Sequence, residues 1–533
     1  MRRVPGGPGV GAADADRAAD AGRRPGRAPP LTVATRRGDR RPAGAPAADR
    51  RAGRDERIET TRRWLERYLP IVDDAAAWHR ALEQPAPLDL LVPGRRRTRD
   101  EVARTLAARG LDVERLDASP YHLRVRTDAG AGTLPEVVFG FAYPQGVSSA
   151  LAPLALAPRP GERVLDLCAA PGGKTVLLDA LAGGEAEIVA NDRSRGRTGI
   201  LVQSLARQAV DAALVVCHDG GAFPSPAAGM AWDAILLDAP CTGEGTFRVP
   251  SPRYDPRGER GLAEAHGLQV RLLTRACDLL APGGRIVYAT CSLAPEENEA
   301  VIAEVLAGRD DMTVADLPSR TPGLAGLTRW NGAHWPDAMQ RARRVFPHHT
   351  GSWGFFVALL RKREDAVRVA RPRREDAPRV VLRDDDELRR ATVAHFAERF
   401  GVPAGAFDRS IVTARGRSGW LLHAFDRAAG RDVSRLDVVA PGLRAVHVTR
   451  RGLRASSAGL RALDRAITAS RIDLDWNEGL ALLERGALER GGEGPGGHVA
   501  VAVDGTVIGG GLLRDGRLEL EIPAAWRQAS RPE

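Results

Sequence analysis

Five short apolar runs constrain this chain more than any other feature. They are RVLDLCA (163–169), AEIVAND (186–192), AALVVCHD (212–219), WDAILLDAP (232–240) and GRIVYATCS (284–292). Each has the length and aliphatic content of a buried strand, and helical patterns lie between several of them. A chain that alternates strand and helix in this way builds a doubly wound, mainly parallel sheet. The stretch 136–363 is therefore expected to be one α/β domain, with SWGFFVALLR (352–361) as a late strand.

The polar residues of these runs fall at their ends, and ligands of open α/β sheets bind beyond the carboxyl ends of strands. The first run opens VLDLCAAPGGKT (164–175): a strand, a turn of small residues and a helix start at Lys174–Thr175. A Walker loop would need glycine where Cys168 stands, and the Gly-x-Gly-x-x-Gly fingerprint fails as well. A nucleoside bound without a phosphate cradle remains, since small residues let the backbone approach it closely. Asp192 ends the second run, where a carboxylate can accept both ribose hydroxyls. Asp219 ends the third, where it can meet an adenine edge, and Asp238 ends the fourth. One such aspartate would read as a helix cap; three in step with a Gly-rich loop point to S-adenosylmethionine.

The fourth and fifth runs each deliver a cysteine. DAPCTGEGTFR (238–248) carries Cys241 and YATCSLAPEEN (288–298) carries Cys291. The chain has five cysteines, and Cys168, Cys217 and Cys277 read as small hydrophobes. With no CxxC and no nearby His cluster to add ligands, no metal is expected. Sparse, irregular cysteines argue for a reducing compartment, which disfavours a disulfide. A chemical need accounts for the pair. The C5 carbon of cytosine is a poor nucleophile towards a methyl sulfonium, but a thiolate added at C6 turns the ring into an enamine. After methyl transfer the C5 proton must leave and the thiolate must be eliminated. One cysteine can attack while the other assists release, with an acid such as Asp238 holding the base edge.

These motifs resemble those of the RNA cytosine-C5 methyltransferases of the Sun family. DLCAAPGGKT is similar to the family's cofactor motif, DAPCTGEGTFR to its Pro-Cys motif, and YATCSLAPEENEAV to its Thr-Cys motif with trailing Glu-Asn-Glu. The resemblance covers roughly 56–363. It implies Cys291 as the nucleophile at C6, Cys241 as the cysteine that aids product release, and Asp238 in contact with the target base and the methyl donor's site. Cys168, Ala169, Ala170, Pro171, Gly172, Gly173 and Lys174 would form the cofactor loop, with Asp192 and Asp219 on the adenosine part.

The GEGTFR variant, the VFPHH…GFFVALLRK ending and the β-rich C-terminus resemble the bacterial small-subunit (16S) rRNA branch. That likeness implies a Rossmann-like core preceded by an α+β, ferredoxin-like domain and followed by pre-PUA and PUA-like modules. The expected divisions are a disordered tail at 1–55, an RNA-binding α+β domain at 56–135, the core at 136–363, a charged linker at 361–379, a pre-PUA-like unit at 380–470 and a PUA-like unit at 471–533. FAYPQGVSSALAPLAL (141–156) is similar to the family's Gln-x-x-Ser segment. The chain departs from the family pattern at Leu91-Val92-Pro93, where Arg-x-Asn is usual, and at Ser352-Trp353, where an acid usually precedes Gly-Phe-Phe.

Composition agrees with a polyanionic partner. The formal net charge is +10, and with only two lysines almost all of the positive charge is arginine, a residue suited to phosphates and bases. No apolar run approaches the ~18–20 residues of a membrane span, and the basic N-terminus lacks the apolar segment of a signal peptide. The expected protein is a soluble, cytoplasmic monomer acting on ribosomal RNA or the small subunit, ahead of transfer RNA. A non-catalytic RNA-binding assembly factor would not need both cysteines and Asp238, and a small-molecule or protein methyltransferase would not need the cysteine pair. Residues 1–55, built from Arg, Ala, Gly, Pro and Asp without apolar period, read as a disordered RNA-binding tail or as translation from too early a start.

Overall fold

The structure, a computed structural model, describes residues 47–127, 130–225, 231–249, 258–366, 380–426, 430–490, 496–523 and 526. The chain divides into Met1–Arg54 and Asp55–Glu533. Most of the expected tail lies outside the described residues, as does most of the expected linker. A helix nevertheless spans Ala47–Leu65, beginning before the expected onset at Glu56. Ala, Arg and Glu are strong helix formers, so this segment needs no apolar period to be helical. Pro70 then sits inside a 3-10 turn, Glu66–Ile71, before the helix Ala75–Glu83.

The core is a sheet built from β1 (Arg163–Asp166), β2 (Glu187–Asn191), β3 (Ala213–Val216), β4 (Trp232–Asp238), β5 (Leu280–Thr290), β6 (Met312–Ala315) and β7 (Phe355–Lys362). Their order is β3-β2-β1-β4-β5-β7, with β6 also paired to β7. The first five are parallel, Val164 lying opposite both Ile188 and Ala234. β7 runs antiparallel to β5, with Phe356 opposite Thr290. Both faces are buried. Ala234 and Leu236 join Leu177 and Leu201 in one layer, while Ile235 and Leu237 join Leu273 and Ile302 in the other. That alternation is the period of two that a doubly covered strand must show. Truncating one of these leucines to alanine would cost ~2–5 kcal/mol. The strand order reverses between β1 and β4, which opens a crevice at their carboxyl ends.

The expected boundaries cut across hydrogen-bonded sheets. Before the core, strands Leu88–Leu91, Asp112–Arg115 and His122–Arg126 form an antiparallel sheet whose fourth strand, Tyr143–Pro144, lies beyond residue 135. After it, strand Val438–Pro441 pairs with β3 and extends the core sheet. The C-terminal region otherwise forms a two-stranded sheet (Val381–Leu382, Arg431–Asp432), a four-stranded one (Ser410–Ala414, Ser418–His423, Leu443–Thr449, Gly452–Ala455) and a five-stranded one. In the latter, Asp504-Gly505 and Asp515-Gly516 make the hairpin turns, all four residues having positive φ. Gly509–Gly511 lies inside strand Thr506–Arg514. A Cβ on Gly511 would sit 2.7 Å from the Val501 side chain, so these glycines serve close packing.

Arginine holds these parts together. Arg461, 1% exposed, donates to Ile508 O at 2.8 Å, Arg207 O at 2.9 Å and Val138 O at 3.3 Å, joining three regions of the chain. Arg97 donates to Val503 O at 2.8 Å, and Arg96 to Phe139 O at 2.9 Å. Part of the basic excess is thus structural.

Candidate active site

β1 brings Asp166 to the crevice, and the loop after it turns through a cis Ala170-Pro171 bond into helix Gly173–Leu181. Gly172 has φ +113, and a Cβ there would lie 3.0 Å from Leu201. A Cβ on Gly173 would lie 2.7 Å from the Tyr143 ring. The loop therefore passes where only glycine fits. Ala169 N donates to Asn191 O at 2.7 Å, and Arg197 ties Ala170 O (2.6 Å) to Asp192 (3.2 Å). Asp192 is 2% exposed and accepts the Ser194 amide at 2.9 Å. Asp219 stands apart, more than half exposed, with its carboxylate on the Gly221 amide at 3.0 Å and 3.6 Å from Arg271. Burial pushes the Cys168 thiol far up, which keeps it neutral beside this loop.

Asp166 carries no role in the sequence reading, yet it is fully buried at the end of β1. Thr175 Oγ1 donates to its Oδ2 at 2.7 Å, while Oδ1 has no partner among the described residues. Burial raises its carboxyl to about 7. A buried carboxylate oxygen without a donor, beside a cradle of small residues, suits a ligand with a cationic end.

The two cysteines meet. Cys241 Sγ lies 3.3 Å from Cys291 Sγ, and both are free thiols. Cys241 is held well above the usual thiol range, first by its hydrogen bond to Cys291 and then by burial. Cys241 therefore keeps its proton, and either sulfur can be the donor in the contact between them. Beside them, Lys174 Nζ lies 2.7 Å from Asp238 Oδ2, 2.5 Å from Ser149 Oγ and 5.5 Å from the Phe355 ring centre. Burial alone would pull the lysine down, but Asp238 outweighs it and the ammonium is stabilised. Lys174, placed by sequence in the cofactor loop, thus turns its charge to the end of β4.

The trailing Glu-Asn-Glu holds both cysteine loops. Glu297 accepts from Thr242 N at 2.9 Å and Gln269 Nε2 at 2.8 Å, and also from the hydroxyls of Thr242 and Ser292. Asn298 accepts from Thr290 Oγ1 at 2.7 Å and donates to Ser292 O at 3.1 Å. Glu299 pairs with Arg344, both buried. The loops also join through backbone, Gly245 N donating to Cys291 O at 2.9 Å. Glu244, buried beside them, receives Trp64 Nε1 at 2.6 Å, which ties Trp64 to the Cys241 loop.

One cluster among the described residues has the composition of a metal site: Asp73, His348 and His349 bring their donor atoms within 4.8 Å of one another. His349 Nδ1 accepts the Phe346 amide at 3.1 Å, so in neutral imidazole the proton sits on Nε2, which donates to Asp73 at 3.0 Å. A metal on Nε2 would need that proton on Nδ1, where the amide already points. The cluster acts as a hydrogen-bonded clamp between the N-terminal segment and the turn before β7.

The crevice, the small-residue loop and the paired thiols define a Rossmann-like methyltransferase core. The sequence profile described as "16S rRNA methyltransferase RsmB/F" matches residues 153–361. The 25S rRNA (cytosine-C(5))-methyltransferase nop2 of Schizosaccharomyces pombe is 34% identical over 302 residues, 56% of this chain and 49% of that protein. The tRNA (cytosine(49)-C(5))-methyltransferase of Pyrococcus abyssi is 35% identical over 237 residues, 44% of this chain and 75% of that protein. The chain belongs to the RsmB/F (Sun) family of RNA cytosine-C5 methyltransferases. The solved structure of PH0851 superposes with a TM-score of 0.50 at 31% identity, covering 56% of this chain and 65% of that one. The chain spans about half the length of its fission-yeast relative or less of the other eukaryotic rRNA enzymes.

Proposed function

We propose that this protein is an S-adenosylmethionine-dependent methyltransferase that forms 5-methylcytosine in 16S ribosomal RNA through a covalent adduct between Cys291 and C6. The observation that carries this reading is the 3.3 Å approach of Cys241 and Cys291 beside the Asp238–Lys174 pair.

S-adenosylmethionine supplies an electrophilic methyl group on a sulfonium. Asp166, Asp192, Asp219 and the loop Cys168–Lys174 are the residues that would hold it. Asp238, charge-balanced by Lys174, accepts from the base edge of a cytosine turned out of its strand. Cys291 adds as thiolate to C6, and the electron pair of the C5–C6 double bond moves to C5, which takes the methyl group. A base then removes the C5 proton, the double bond re-forms and Cys291 leaves C6. Cys241, held as a thiol, has a proton ready for the departing sulfur.

Ribosomal RNA is favoured by the description of the family profile and by the flanking sheets, which we read as a ferredoxin-like domain before the core and pre-PUA and PUA-like modules after it. Transfer RNA is the second reading, favoured by the Pyrococcus abyssi relative, of which this chain covers 75%. Labelled S-adenosylmethionine incubated with ribosomal RNA, small subunits or transfer RNA decides between them. Label on one ribosomal cytosine, lost with Cys291→Ala, is expected. Cys241→Ala is expected to accumulate a covalent RNA adduct visible on a denaturing gel. Label on transfer RNA alone would move the substrate and keep the chemistry, and no label on any RNA would reject the activity.

A further inference from the structure

Away from the crevice, the C-terminal four-stranded sheet faces helix Arg195–Arg207 across a cavity of about 410 Å³. Leu205 and Val215 line its apolar side, and Trp420, Trp526, Arg444, His447 and Glu521 are among the residues that line the rest. The ladder between the strand that carries Trp420 and strand Leu443–Thr449 is irregular there. Gly419 lies opposite Val446 and Trp420 opposite Arg444, so Ala445 is an extra residue in the ladder. Such a bulge re-aims side chains. Gly419 has no alternative, because a Cβ would stand 2.7 Å from Val446.

The result is a stacked pair, with the Arg444 guanidinium 5.0 Å from the Trp420 ring centre. Trp420 is only 6% exposed and Trp526 2%, and among the described residues neither indole N–H has an acceptor. Both nitrogens are buried away from the cavity, so what the tryptophans offer a ligand is ring surface. Its mouth is strongly basic. Arg444 and Arg454 line it, Arg450 and Arg451 form the turn of the adjoining hairpin, and Arg417 lies beside Val448 in the same sheet; all five are exposed. Arg454 pairs with Glu521, but Arg417, Arg444, Arg450 and Arg451 have no carboxylate partner among the described residues. An apolar, indole-lined cavity with a cationic rim matches an unpaired nucleobase and its phosphate.

We propose that this cavity is a nucleotide subsite that takes an unpaired base of the RNA substrate, with the flanking phosphates on the arginines at its mouth. It lies two to three turns along helix Arg195–Arg207 from the Asp192 end, roughly 10–16 Å at ~1.5 Å per residue. It would hold a different nucleotide from the one methylated. The identity of the polymer rests on the methyltransferase reading; the nucleotide chemistry does not.

Binding by the full chain tests this without reference to turnover. A fluorescent single-stranded oligoribonucleotide and adenosine monophosphate are the two probes. Arg444→Glu is expected to weaken the oligoribonucleotide at least tenfold, and Trp420→Leu, which removes the ring and keeps an apolar side chain, several-fold. Cofactor binding should stay unchanged in both. If adenosine monophosphate also binds and weakens in step, the cavity recognises a free nucleotide; if only the oligoribonucleotide responds, it recognises RNA. Unchanged affinity for both probes in both variants overturns the proposal. Protein that binds through this cavity but methylates nothing would reject the activity and leave the subsite standing.

Discussion

Glu297 accepts the backbone amide of Thr242 at 2.9 Å across the gap between two loops, so the residue after Cys241 is fastened to the loop that carries Cys291. The same carboxylate takes the Thr242 and Ser292 hydroxyls and the Gln269 amide, which is a full set of acceptor sites in use.

Glu297→Gln replaces one acceptor oxygen with a donor that faces donors. An unpaired buried group costs ~1–3 kcal/mol, and turnover is expected to fall about tenfold to a hundredfold or more. Cofactor affinity should not change, because Glu297 lies on the thiol side. Unchanged turnover would remove Glu297 as a positioning residue.

Asp166 makes the site sensitive to pH with a definite sign. Its folded carboxyl sits at about 7 against an ordinary 3.8, because it is buried. It binds its proton more tightly when folded, so its contribution to stability is complete below the ordinary value and is lost as pH rises towards 7. A cationic ligand prefers the ionised form, so cofactor affinity should rise between roughly pH 6 and pH 8. Calorimetric titrations should show that rise in the wild type and a flat profile in Asp166→Asn. A flat wild-type profile would take Asp166 out of the cofactor site.

Gly245 is a packing necessity. A Cβ there would stand 2.5 Å from Gly354 O and 2.8 Å from Cys291 O, both backbone atoms. Gly245→Ala is expected to cost ~1–3 kcal/mol as overpacking, lower Tm, and separate the cysteine loops so that activity falls further than stability. Thermal unfolding and initial rates measured together check both parts.

Arg344 and Glu299 form a buried pair, 2% and 0% exposed. Arg344→Met should destabilise by ~3–5 kcal/mol because it strands a buried carboxylate. Adding Glu299→Leu should restore much of that loss in denaturant unfolding. A double variant no better than the single would mean that Arg344 acts through Leu293 O, to which it also donates at 2.8 Å.

Much of the core was legible because its signals are local. Strand period, the glycine turn after Asp166 and the residues that end each run depend on neighbours in sequence, and the five expected strands stand where the runs predict. The modules were less legible. A strand such as Tyr143–Pro144 or Val438–Pro441 carries no sign of which sheet it will join, since pairing depends on edges that form only in the folded chain. Arginine misled for the same reason. The net charge counts every arginine towards a polyanionic partner, but Arg96, Arg97 and Arg461 cap backbone carbonyls between regions of the chain.

The sequence by itself determined the fold class and the family and put the candidate residues at the strand ends, because hydrophobic period and short motifs are written over a few neighbouring positions. Only the tertiary structure decided how those residues meet: Cys241 against Cys291, Lys174 on Asp238, and Glu297 across both loops. Those contacts exist because β1, β4 and β5 lie side by side in parallel register, which brings loops far apart in sequence to one edge. Side-chain charge and hydrogen bonding act over a few ångströms, so their partners are set by that register and not by distance along the chain.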